Sequence, residues 1–86
     1  IAAAANYWFD LPLRDLEPRQ AAFLAALTSE PKSMTRRIRN AGALDATSAA
    51  RVDVILRAMR RDDVITDDAY YMAKEAPLGL KLDRNR

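Results

Sequence analysis

The run Arg51–Met59 restricts the fold most, because Val52, Ile55, Leu56 and Met59 stand at i, i+3, i+4 and i+7. On a helix of 3.6 residues per turn these four side chains share one face, whereas a strand would divide them between two faces. The stripe predicts an amphipathic helix, entered through Asp45 or Thr47 as its N-terminal cap. Val64-Ile65-Thr66-Asp67-Asp68 then reads as a hydrophobic staple, a Thr cap and two acids in the first turn of a last helix, with Pro77 as its stop.

The other segments carry weaker signals of the same kind. Ile1 to about Trp8 is Ala-rich and reads as the end of a helix, followed by a turn at Asp10, Pro12 and Asp15. A second helix is predicted to about Thr28, with Asp15 or Leu16 at the cap, Glu17 near the positive end of the dipole and Pro18 in the first turn. Its Leu16, Phe23, Leu24 and Leu27 recur at helical spacing, and Ala21, Ala22, Ala25 and Ala26 let neighbouring helices approach closely. Pro31 is expected to stop this helix. Residues 31–44 show no sustained period and are read as a long basic loop, and the tail 78–86 has no period either. The expectation is therefore all-α: one unit over residues 1–86, a small bundle of about three to four helices.

The sequence has no His and no Cys, which excludes imidazole bases, thiolate nucleophiles and nitrogen or sulfur metal sites. Gly42 and Gly79 stand too far apart to build a phosphate-cradling Gly-rich loop. No catalytic residue, metal ligand or cofactor is assigned, and the chain alone is expected to be inert. Half of the 86 residues are apolar and 30% are charged, a balance that supports a folded domain. The apolar stretch Phe23 to Leu27 is far shorter than the roughly 20 residues of a membrane span. A start at Ile1 that runs straight into a helical Ala block reads as a piece of a longer protein.

Three groups of residues could carry chemistry. Lys32, Arg36, Arg37 and Arg39 put four cations into eight residues with no acid between them; a solvated face is the first reading and phosphate contact the second. Tyr7, Trp8 and Phe9 could stack on a sugar or base, but aromatics at the end of an apolar helix belong first to a core. Asp62-Asp63 and Asp67-Asp68 lie where turns and caps favour Asp. Arg57, Arg60 and Arg61 suit the C-terminal end of a helix, with Asp53 paired to Arg57.

Taken in order, several stretches resemble one family. Ile1-Ala2-Ala3-Ala4-Ala5-Asn6-Tyr7-Trp8, then Asp15 to Leu27 with its Ala-Ala-Phe-Leu-Ala-Ala-Leu, is similar to the region after the catalytic lobe of peptidoglycan glycosyltransferases. Arg51-Val52-Asp53-Val54-Ile55-Leu56-Arg57-Ala58-Met59 matches the family's last motif: Arg, three residues, Val or Ile, Leu, two residues, Met. Val64-Ile65-Thr66-Asp67-Asp68-Ala69-Tyr70 and Ala76-Pro77-Leu78 resemble the segment that follows. Where the family has Phe-Gly-Lys, this chain has Trp8-Phe9-Asp10, and Glu30-Pro31-Lys32-Ser33-Met34 replaces a longer Pro-rich loop.

The resemblance implies the C-terminal part of a larger, mainly helical, lysozyme-like domain, as in class A penicillin-binding proteins, which polymerise lipid II outside the cytoplasmic membrane. Both catalytic Glu motifs of the family would lie upstream of Ile1. Arg51, Lys32 and Arg36 are the substrate-binding candidates by resemblance, and Ile55, Leu56 and Met59 are the structural part of the motif. The implied partners are an upstream lobe of the same domain and, through the parent, lipid II or a glycan strand. A chain lacking that lobe is expected either to fold Tyr7, Trp8 and Phe9 back onto its own helices or to bury them in a homodimer, with the homodimer preferred. The competing reading is a small helical nucleic-acid or protein-binding module on the basic segment, with no nucleic acid expected.

Overall fold

The computed structural model describes residues 2–76 and 78–81. The readings made for Ile1, for Pro77 and for the tail from Leu82 onward lie outside the described residues. Among the described residues there are five α-helices, α1 (Ala2–Phe9), α2 (Pro18–Ser29), α3 (Pro31–Ala41), α4 (Ala46–Arg61) and α5 (Asp67–Glu75), with a short 3-10 turn at Leu13–Asp15 and no strand. The all-α expectation holds, with one helix more than the upper expected number.

The additional helix is α3, which corrects the reading of 31–44 as a loop. Met34 and Ile38, spaced i, i+4, are both fully buried and form a two-residue apolar face too short to register as a period. Pro31 ends α2 and also opens α3 at its first position, where the missing N–H costs no hydrogen bond. Gly42 closes it in the left-handed region, φ 72°, donating its N–H to Ile38 O at 2.9 Å.

The other boundaries follow side-chain chemistry. α2 is capped by Glu17, one residue beyond the expected Asp15 or Leu16: Glu17 N–H donates to Gln20 Oε1 at 2.9 Å in a reciprocal capping box. Asp45 Oδ2 accepts from Ser48 N at 3.1 Å at the start of α4, and Thr66 Oγ1 accepts from Ala69 N at 3.1 Å at the start of α5. α4 ends in a Schellman turn, with Asp63 N bonded to Arg60 O and Val64 N to Met59 O, and Asp63 takes the left-handed position at φ 59°.

α2 packs most extensively on α4, and α3 and α5 each lean on that pair. Phe23 and Leu24 of α2 meet Val52 and Leu56 of α4 in one core, with Ile55 and Met59 packed at its edge. Trp8 and Phe9 lie edge-on to Phe23 at 5.5 and 5.4 Å between ring centroids, a preferred aromatic geometry. These two aromatics are folded back onto α2 within the chain. The segment after α5 returns across the bundle: Arg19 Nη1 donates to Ala76 O, Gln20 Nε2 to Leu78 O, and Lys81 N to Trp8 O.

Candidate functional site: an arginine and carboxylate junction

Glu30 occupies the single residue between α2 and α3, where its backbone serves both helices. Its N–H donates to Leu27 O and its carbonyl accepts from Met34 N, so the carboxylate is free of capping duty. That carboxylate receives Arg51 Nε from α4 at 2.8 Å, with Arg37 Nη2 of α3 at 3.8 Å. Arg37 Nε in turn stands 3.3 Å from Asp45 Oδ2, the capping oxygen of α4. Four charges, two on α3 and α4 and two at helix caps, thus form one chain: Arg51, Glu30, Arg37, Asp45.

The links differ in quality. Arg51 and Glu30 are in hydrogen-bonding range, although the Arg51 side chain is 46% exposed and water screens the pair. Arg37 and Asp45 are more enclosed, yet buried Arg37 Nε and Nη2, Asp45 Oδ1 and Ser48 Oγ complete no hydrogen bond with the protein. The Arg37–Asp45 link therefore acts through charge proximity. Burial pushes the Asp45 carboxyl up, but the Ser48 backbone N–H that donates to it, with its own backbone N–H and the Arg37 charge, outweighs burial and leaves it below its ordinary value.

The residues singled out from the sequence separate into two environments. Arg51 joins the junction and is paired. Lys32 and Arg36 lie on the exposed face of α3, beside Thr35, Arg39 and Asn40 in a shallow surface depression, and neither forms an ion pair with Arg51's partner Glu30. Of the motif residues, Leu56 is buried while Ile55 and Met59 are partly so. Arg57 pairs with Asp53 at 3.2 Å, Arg61 with Asp62 at 3.2 Å, and Arg60 reaches Asp67 at 3.6 Å while lying over the Tyr70 ring.

Sequence reasoning missed Glu30 and Asp45 as partners of the arginines. Glu30 was visible only as the residue before a proline, and nothing local told that the reversal at Pro31 would aim its carboxylate at α4. Of the two caps the sequence offers, Asp45 and Thr47, Asp45 is the one used, and its second contact to Arg37 has no local signal.

A search of curated proteins gave no match to the chain. A family profile described as Transglycosylase matches residues 1–60. The matched span contains α1, α2, α3 and α4 as far as Arg60, and so includes the whole junction of Glu30, Arg37, Asp45 and Arg51. With 60 of its 86 residues matched, the chain belongs to the transglycosylase family, the peptidoglycan glycosyltransferases of cell-wall synthesis.

Proposed function

We propose that the chain is the non-catalytic C-terminal helical segment of a peptidoglycan glycosyltransferase domain of the class A penicillin-binding protein type. Its parent polymerises lipid II into glycan strands on the outer side of the cytoplasmic membrane. The observation that carries the reading is the family match across the Arg51 motif, joined to the use of that arginine inside the fold.

In this reading Arg51 is a positioning residue. Its planar guanidinium holds α4 against the α2–α3 turn through Glu30, a task that a flexible Lys ammonium performs less well. Lys32 and Arg36, exposed on the outer face of α3, take no part in that positioning. An upstream lobe of the same domain supplies the two catalytic carboxylates.

In the full-length parent, Arg51→Ala should lower glycan polymerisation and thermal stability together, and Glu30→Gln should do the same more mildly. Normal polymerisation by an Arg51→Ala parent of normal stability would remove Arg51 from the mechanism. A full-length parent unable to extend lipid II under any condition would sink the glycosyltransferase reading itself.

A further inference from the structure

We propose that the outer face of α3 is a docking surface for an anionic phospholipid bilayer. Lys32, Arg36 and Arg39 stand at i, i+4 and i+7, within an arc of about 60° at 3.6 residues per turn. Met34 and Ile38, which anchor the helix in the core, point almost the opposite way. The helix has no acidic residue of its own. Arg37, the fourth cation, points aside to Glu30 and Asp45, so the outward stripe is separate from the junction.

The stripe differs from the arginines of α4. Arg51, Arg57, Arg60 and Arg61 each have a carboxylate within ion-pair distance, whereas among the described residues Lys32 and Arg36 have none. Arg39 carries its guanidinium over the Tyr7 ring, 5.7 Å from the centroid, which orients the cation without neutralising it.

The shape of the face selects the partner. Lys32 to Arg39 extends about 10 Å along the helix axis, and the depression they line is open, so the three cations form a row longer than a single phosphate. A row of cations on long aliphatic stems fits a sheet of phosphate headgroups, with the stems lying in the interface and the charges among the phosphates. The exposed face of α3 has no aromatic residue on which nucleic-acid bases could stack. This inference deepens the proposed function and takes from it only the extracytoplasmic setting.

The test is co-sedimentation of the 86-residue chain with vesicles of equal parts phosphatidylglycerol and phosphatidylcholine, and with pure phosphatidylcholine vesicles. Binding to the anionic vesicles alone, weakening with salt, is expected. Each cation removed should cost about fivefold in partition, hence about 25-fold for Lys32→Ala with Arg36→Ala. Arg57→Ala with Arg61→Ala removes the same formal charge from paired positions and should cost much less. The exchange Lys32→Arg with Arg36→Lys should bind as the wild type does, and circular dichroism should show both α3 variants folded.

Equal loss in the two alanine pairs, or no preference for anionic vesicles, would overturn the proposal. Release of the chain from vesicles by millimolar inorganic pyrophosphate would assign the cations to a small phosphate group instead. Tighter binding to duplex DNA than to vesicles at physiological salt would likewise end it. Vesicle binding by this chain and polymerisation by the parent are separate readouts, so either reading can fail alone.

Discussion

The aromatic seam between α1 and α2 and the charged junction between α2, α3 and α4 join helices by opposite means. In the seam, Trp8 and Phe9 close on Phe23, whose side chain is wholly shielded, and no charge takes part. At the junction, half-exposed arginines reach carboxylates in range of water. Burial of a large apolar side chain contributes about 1.5–3 kcal/mol, while an exposed ion pair contributes about 0.2–1 kcal/mol. The difference teaches that burial in the seam is the stronger tie between helices and the screened ion pairs of the junction the weaker one.

The strongest test of that division is Phe23→Ala, which should destabilise the chain by about 3–5 kcal/mol in chemical denaturation, because the cavity lies among rings on two sides. A loss below about 1 kcal/mol, within the ordinary range of surface substitutions, would show that the seam is not the main support.

Next in size is Asp45→Ala, which removes the α4 cap and should cost about 1 kcal/mol, whereas Asp45→Asn keeps a capping oxygen and should cost less. The carboxyl titrates below its ordinary value of about 3.9 in the fold, so its contribution is present above that value. It is lost as pH falls from about 4 through the lowered folded value. Denaturation midpoints of wild type and Asp45→Asn should therefore differ at neutral pH and converge at strongly acid pH; a gap unchanged across that range would exclude the charge of Asp45 as a stabilising group.

The smallest effect belongs to the Arg51–Glu30 pair. A double-mutant cycle with Arg51→Ala and Glu30→Ala should give a coupling of about 0.2–1 kcal/mol, reduced by salt. A coupling above about 2 kcal/mol would place the junction on a level with the seam and erase the contrast.

The same contrast explains what was legible in the sequence. Val52, Ile55, Leu56 and Met59 announce α4 because apolar burial leaves a periodic mark along one segment, and Thr66 announces α5 because a cap acts within three residues. α3 was hidden because its apolar face has only Met34 and Ile38, while Pro31 and Gly42 look like breakers until they are seen bounding eleven helical residues. The junction left no mark at all. Ion pairs join residues from separate helices, so neither Glu30 nor Arg37 carries a local sign of its partner, and only the chain reversal at Pro31 brings them together.

The return of the last segment across α1 has a kinetic consequence. The hydrogen bond from Lys81 N to Trp8 O, 2.8 Å long, joins residues almost a full chain length apart, and closing so long a loop is entropically unfavourable until the intervening helices have formed. The contact should therefore form after α2 and α4 have docked and be among the first to open, on the scale of local unfolding. The amide of Lys81 should exchange its hydrogen far sooner than that of Leu56, and Trp8, the only tryptophan, gives folding experiments an optical probe of the moment this clasp shuts.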